Sequence, residues 1–260
     1  MAQYSVSFAG AGRVSGALCL EMYRSGIQIR QIVSVNPENG KALAEKCNAS
    51  WSSGLLFNDP VDTIIVAVPD HKLPEVLKRI KCPDNTLVAH TAGSYGLEVF
   101  PDSIKHKAVI YPLQTFSKER KINFRDLPFF IEASDKRTSD IVKNLAEILG
   151  GKVYISDTED RKMLHLAAVF VCNFVNHMLT AGKEIALKSG LDFNVLKPLI
   201  EETISKALAY GPEASQTGPA VRNDRNTIAK HLDLLSFSPE LQRVYNEVTR
   251  SIIEYYKKNP

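Results

Sequence analysis

The chain has 260 residues, of which 44% are hydrophobic and 23% charged, and its 32 basic and 29 acidic side chains leave a net charge of +3. These values fit a soluble globular protein of one large domain or two ordinary ones. They make nucleic acid a poor default partner, since no long run of one sign occurs, and the longest apolar run, 166–172, is too short to span a bilayer.

Residues 1–4 carry no basic segment leading into an apolar core, so no signal peptide is expected. The first strand is expected at once, over 6–9. It runs into a glycine-rich turn, Gly10-Ala11-Gly12-Arg13-Val14-Ser15-Gly16, and then into a helix over 14–25 closed by Gly26. A strand, a glycine turn and a helix in that order form a dinucleotide site. The first glycine permits the tight turn, the second lets the backbone approach a pyrophosphate, and the helix offers free N–H groups and its positive dipole end. Gly10, Ala11, Gly12, Arg13 and Val14 are therefore candidate cofactor contacts.

A second strand is expected over 31–35 and a helix over 37–47. The β-branched run 63–68 reads as a strand buried on both faces, stopped by Pro69-Asp70. A helix over 73–80, a strand over 86–90, further strands over 108–111 and 129–132, a helix over 139–149 and an edge strand over 153–155 follow. Strands spaced by helices predict an α/β fold with a parallel, doubly wound Rossmann sheet.

The pattern changes near residue 156. Ser156 and Glu159 have the spacing of a capping box, and a helical pattern runs from there to about Ser189, with Gly190 as its C-cap. Some thirty residues at about 1.5 Å each give roughly 45 Å, too long for a crossover helix and suited to the spine of a second domain. Helices over 194–210, 219–235 and from Pro239 to about 256 complete it, and no strand pattern appears. The expected division is thus a dinucleotide-binding domain over 1–155 and an all-helical substrate and dimerisation domain over 156–260.

An NAD site usually carries an acid after the second strand, to hold the ribose hydroxyls. Here the position is Asn36, which repels no 2′-phosphate and has an amide to donate to one, and Arg13 and Lys41 offer positive charge. NADP is the expected cofactor, with NAD less favoured and Glu38 as the opposing charge. The second strand does not end in an acid and the C-terminal half is helical, which speaks against an S-adenosylmethionine methyltransferase.

Gly10-Ala11-Gly12, Val66-Ala67-Val68-Pro69-Asp70, His90-Thr91-Ala92-Gly93-Ser94 and Tyr111-Pro112-Leu113-Gln114-Thr115-Phe116 together resemble a family of Rossmann-like NADP oxidoreductases with a C-terminal domain of unknown function. The run from His165 to Asn173 and the segment from Thr217 to Asp224 are similar to the two motifs of that C-terminal domain. The resemblance covers nearly the whole chain. More distantly the chain resembles pyrroline-5-carboxylate reductase and the β-hydroxyacid and 6-phosphogluconate dehydrogenases. These relatives imply hydride transfer to or from a small ketone or imine in a cleft between an NADP domain and a helical domain that dimerises.

In an open parallel sheet, ligands lie beyond the carboxyl ends of the strands. Val68, Pro69, Thr91, Gly93 and Ser94 fall there, the first four as candidate nicotinamide or ribose contacts and Ser94 as a substrate contact. The alternative is that they are ordinary loop residues. His90, still within the strand pattern, reads as a packed structural histidine or a catalytic one. On the long helix, offsets of seven and eleven bring His165, Cys172 and Asn176 onto one face, with Asn173 beside them. Polar groups in so apolar a segment are either satisfied in the core or line a cleft. His165 has the pKa range for proton transfer near neutral pH. The related dehydrogenases imply a proton-donating lysine and a substrate-binding asparagine near this helix start. Lys162 matches the lysine, but Leu166 stands where the asparagine belongs. The pyrroline reductase implies a carboxylate site at a helix start like 218–224. Arg222 fits it as a fork-shaped donor and Asp224 as its orienting partner, against the alternative of a surface salt bridge.

The six histidines show no ligand spacing, so no metal is expected. The four cysteines, Cys19, Cys47, Cys82 and Cys172, form no C-x-x-C pair, which fits a reducing cytoplasm and buried thiols. The expected protein is an NADP-dependent oxidoreductase of a small-molecule substrate, homodimeric through its helical half, with no nucleic acid or membrane partner. The alternative is a non-catalytic NADP-binding sensor or scaffold.

Overall fold

The computed structural model describes residues 4–117 and 120–258. The first three residues, where no leader pattern was read, lie outside them. Contacts group the chain into two units, Met1–Asn173 and Phe174–Pro260.

The first unit is built on an eight-stranded sheet. Its strands are β1 Ser5–Ala9, β2 Gln28–Val33, β3 Ser50–Ser52, β4 Thr63–Val66, β5 Leu87–His90, β6 Lys107–Pro112, β7 Pro128–Ala133 and β8 Lys152–Ile155. They lie in the order β3-β2-β1-β4-β5-β6-β7-β8. The first six are parallel, in the arrangement of a Rossmann sheet whose order reverses between β1 and β4. The expected parallel, doubly wound sheet is present, with one departure: β7 pairs antiparallel to β6, while β8 is parallel to β7. The connection 113–127 shows no helix among its described residues, and without a crossover the chain turns back.

Four helices cover this sheet: α1 Arg13–Arg24, α2 Pro37–Lys46, α3 Leu73–Arg79 and α4 Lys136–Ile148. Alternate strand residues feed two cores, as expected of strands buried on both faces. Phe8, Ile65, Ala89, Ile110 and Phe129 meet Leu18 and Met22 of α1, Leu43 of α2 and Leu145 of α4. On the other face Ala9, Ile64, Val66 and Val88 meet Leu73 and Leu77 of α3 and Phe100.

The long helix is present, but it is not uniform. α5 Thr158–Ala168 passes into a π-helical stretch, Val169–Phe174, and then into α6 Val175–Lys188. Its N-cap is Asp157, which accepts from Asp160 N at 2.8 Å, and not Ser156. Ser156 N instead donates to Ile131 O and prolongs the β7–β8 ladder. The π stretch makes i→i+5 turns, so the alignment of His165, Cys172 and Asn176 inferred for an even 3.6-residue period does not carry through it. By length and composition alone, Thr158–Lys188 is long and apolar enough to cross a bilayer, and its most apolar window is not buried. The seven-residue run considered above underestimates this.

The second unit continues with α7 Lys197–Tyr210, the short α8 Pro212–Ser215, α9 Arg225–Leu234 and α10 Pro239–Lys258. The helix expected from Pro219 starts only at Arg225. Asp224 is its N-cap, accepting from Thr227 N and Oγ1 at 3.1 and 2.8 Å, and Asn223 before it has φ +52°. A helix begun at Pro219 would leave Asp224 in its second turn, whereas a cap uses both of its oxygens. None of the residues of α7 is buried.

Candidate active site

The turn after β1 is fixed by backbone geometry. Gly10 has φ +117°, its N–H donates to Val33 O at 2.7 Å, and Ser15 Oγ donates to its carbonyl at 2.6 Å. A Cβ on Gly10 would stand 2.2 Å from Ala67 O, so the chain passes β4 too closely for any side chain. Gly12 is different. It caps α1 without a side-chain partner, and a Cβ there would meet nothing within 4 Å. The fold itself does not require glycine at that position. The bare backbone and the helix N-terminus, with no acidic residue in the first turn, fit a pyrophosphate.

Next to it lies a cleft of about 550 Å³ lined by Gly12, Arg13, Asn39, Lys46, Arg120 and Lys121 among others. Asn36 caps α2, its Oδ1 accepting from Asn39 N at 2.9 Å, which leaves the amide hydrogens as its outward donors. Lys41 does not join the cations of the cleft lining. Its ammonium sits 5.0 Å from the centre of the Trp51 ring.

At the ends of β4, β5 and β6 several groups meet. Ser94 Oγ donates a short hydrogen bond to Asp70 Oδ2. Thr91 N donates to Val66 O at 3.2 Å, which lays the 91–96 segment along the end of β4. Tyr111 Oη is 3.0 Å from His165 Nδ1, and the two rings meet edge-on with centroids 5.9 Å apart. Gly93 is the floor beneath both: a Cβ there would come within 2.9 Å of His165 Nδ1 and of Tyr111 Cζ. Burial raises the Tyr111 pKa, and the Asp70 charge raises it further. The phenol therefore keeps its proton at neutral pH.

His165 is held in place from the start of its helix. Arg161, one turn earlier, is fully buried. Its Nη2 donates to Glu132 Oε2 on β7 at 2.8 Å and to Tyr95 O at 2.7 Å, and its Nη1 to Asp157 O at 3.3 Å. Thr158 Oγ1 donates to the same carboxylate. The helix start is thereby pinned both to the sheet and to the segment carrying Gly93 and Ser94.

His90 resolves as structural. It is fully buried, its Nδ1 accepts from Ala92 N at 3.2 Å, and its Nε2 faces Gly96 O at 3.3 Å, so the neutral Nε2–H form satisfies both. Burial pushes its pKa down to about 4 from 6.5. Between those pH values the unfolded chain binds a proton that the folded chain does not, so stability falls as pH drops through the window. The loss totals about 3 kcal/mol and ceases to grow below the folded value. Above pH 6.5 it is absent. Urea titrations at pH 7 and 4.5 should show this loss in the parent and a clearly smaller one in His90→Gln. Equal losses would show that another group titrates.

The other expected site residues are placed as follows. Lys162 Nζ pairs with Glu159 at 2.9 Å, and that hydrogen bond raises its pKa. Asn173 lies exposed in the π stretch and Asn176 exposed in α6. Arg222 is exposed in the turn before α9, and the Asp224 carboxylate is engaged in capping, which lowers its pKa. The sequence reading missed Tyr111, Asp70 and Arg161 as working residues. The first two lay inside motifs already singled out, and Arg161 stands four residues before His165, one helical turn away.

A Rossmann sheet with an open glycine turn at its switch point, and a Tyr–His pair beyond its strand ends, are features that a nicotinamide-dependent oxidoreductase requires. The comparisons with known proteins agree. Residues 5–93 match a family model described as NADP oxidoreductase, coenzyme F420-dependent, and residues 127–252 match a domain of unknown function, DUF2520. A Bacteroides fragilis protein named "putative NADP oxidoreductase" is 39% identical, with 97% of this chain and 98% of that one covered and a TM-score of 0.88. A Thermotoga maritima protein is 25% identical over 98% and 99% of the two chains, with a TM-score of 0.71. A reductive aminase from Aspergillus terreus, solved with NADPH and ethyl-5-oxohexanoate, shares the fold at 11% identity, covering 98% and 99%, with a TM-score of 0.73. No curated protein matches the sequence. The chain belongs to the NADP oxidoreductase family that joins this nucleotide-binding domain to a DUF2520 domain.

Proposed function

We propose that the chain catalyses NADP-dependent hydride transfer to or from a small ketone or imine, with the Tyr111 hydroxyl as proton donor and His165 as the group that orients and reprotonates it. The observation that carries this reading is the 3.0 Å contact of Tyr111 Oη with His165 Nδ1 over Gly93. When bound, the nicotinamide supplies or accepts the hydride. In the reducing direction His165 Nδ1–H donates to the phenol oxygen and leaves the phenol's own proton directed at the substrate. That proton passes to the substrate oxygen or nitrogen as its carbon gains hydride, and His165 then returns a proton to Tyr111. The donor role thus moves from His165, where the sequence suggested it, to the hydroxyl that His165 holds. Ser94 and Asp70 offer a polar pair for the substrate's other end.

NADP is favoured over NAD by the neutral Asn36 and by Arg13, Lys46, Arg120 and Lys121 in the lining of the cleft beside Gly12. A homodimer through the helical half is favoured by α7, which buries none of its residues, and by the exposed Leu187, Leu199 and Leu208. The unlinked thiols favour a reducing cytoplasm.

The test is a fluorescence titration with NADPH and NADH followed by turnover on keto acids and cyclic imines. NADPH should bind at least about tenfold more tightly than NADH. Tyr111→Phe should bind NADPH like the parent and lose about 100-fold in kcat. Tight NADPH binding without turnover on any substrate would favour the sensor or scaffold reading. Full activity in Tyr111→Phe would remove the phenol from the mechanism.

A further inference from the structure

Two thiols outside the proposed reaction lie against each other in the nucleotide-binding unit. Cys19 is on the inner face of α1 and Cys47 is the C-cap of α2, both buried, with their Sγ atoms 3.4 Å apart. No other element separates them. A disulfide bond is about 2.05 Å long, so bonding requires the sulfurs to approach by only ~1.4 Å.

The surroundings divide the two chemically. Cys19 is held protonated, first by its hydrogen bond to Cys47 and then by burial. Cys47 is shifted the other way by the bond it receives, with further lowering from the charges of Arg24 and Lys46 against the opposing effect of burial. The cations Arg24 and Lys46 act on Cys47, which makes it the nucleophile of the pair. Cys47 also borders a recess of about 170 Å³ that it lines with Tyr23, Gly26 and Asn48. A recess of that size admits a molecule as small as a peroxide. Cys82 has no such thiol partner among the described residues, and burial raises its pKa.

We propose that Cys19 and Cys47 form a peroxide-responsive dithiol that closes to an intrachain disulfide. The Cys47 thiolate attacks one peroxide oxygen, the O–O bond breaks, and with one proton taken up the products are the Cys47 sulfenic acid and water. The Cys19 sulfur then displaces the sulfenic hydroxyl, which leaves as a second water with the Cys19 proton. Two thiols are oxidised and one hydrogen peroxide is reduced. The product ties α1, which carries the Gly12 turn, to α2, which carries the Asn36 cap. It closes a loop between positions 28 apart in sequence.

The experiment uses the full chain carrying Cys82→Ser and Cys172→Ser, treated with stoichiometric hydrogen peroxide. Both remaining thiols should disappear, the mass should fall by about two hydrogens, and a non-reducing peptide map should link Cys19 to Cys47 within one chain. The melting temperature should rise by roughly 5–10 °C and return with dithiothreitol. With Cys19→Ser added, Cys47 should stop at a sulfenic acid that dimedone traps. With Cys47→Ser added, Cys19 should resist the oxidant. Two thiols still titratable after peroxide, linkage between chains only, or Cys47 passing to sulfinic acid in the presence of Cys19 would each overturn the proposal.

Discussion

Glu132→Ala should lower the melting temperature by about 10 °C. Arg161 is fully buried, and its guanidinium has one carboxylate, Glu132, at 2.8 Å, its other partners being the carbonyls of Tyr95 and Asp157. Its Nε has no partner among the described residues. Removing one member of a buried pair leaves a charge without compensation and typically costs about 3–5 kcal/mol. For a unit of this size each kcal/mol shifts the midpoint by about 2–4 °C. Glu132→Gln, which keeps an acceptor and loses the charge, should fall between parent and alanine. A double variant, Glu132→Leu with Arg161→Met, should recover much of the loss, because two packed apolar chains need no counterion. Thermal melts of the four proteins decide the matter. An alanine variant melting within 2 °C of the parent would show that Glu132 does not hold the charge. The same variant should also lower activity, since the start of α5 sets the place of His165 beside Tyr111.

Gly10→Ala should cost about 4 kcal/mol and abolish coenzyme binding, while Gly12→Ala should fold normally and lose only the binding. At Gly10 the backbone has φ +117° and the new Cβ would press on the carbonyl of Ala67, and neither contact relaxes by turning a side chain. Backbone strain and overpacking contribute roughly 1–3 kcal/mol each. At Gly12 the φ of −82° is ordinary and the space is open. Melting temperature and NADPH titration on both variants separate the two roles. If Gly12→Ala binds NADPH as tightly as the parent, the open surface at Gly12 is not where the pyrophosphate lies. If Gly10→Ala melts like the parent, the close approach of Gly10 to Ala67 is not a constraint.

Most of the alternation from β1 to α4 was legible because β1, β4 and β5 are buried along their whole length and glycines follow α1 and α4. β3 was missed, being three residues with serine at both ends, paired only to β2. The direction of β7 was not legible, since period-two patterning reports a strand and says nothing of which way it runs. The π stretch was hidden for a similar reason: an apolar run such as Val169 to Val171 suits either helix. In the site, the glycine turn could be read because its chemistry is local. The Tyr111–His165 contact could not, because its members stand 54 residues apart and only the fold brings them together. Arg161 was passed over because arginines are seldom fully buried, and the carboxylate that permits it lies 29 residues away.

The place of β1 in the sheet bears on how the protein is made. Among the strands of this sheet it is synthesised first, yet it sits inside the sheet, with β2 on one side and β4 on the other. Its second edge stays open until Val66 has been synthesised and has cleared the exit tunnel. For that interval a strand destined for full burial has one ladder of unanswered N–H and C=O groups, the condition under which nascent chains pair wrongly with each other. The pace of translation from β1 until β4 has emerged therefore bears on yield for this fold, independent of the stability of the finished molecule.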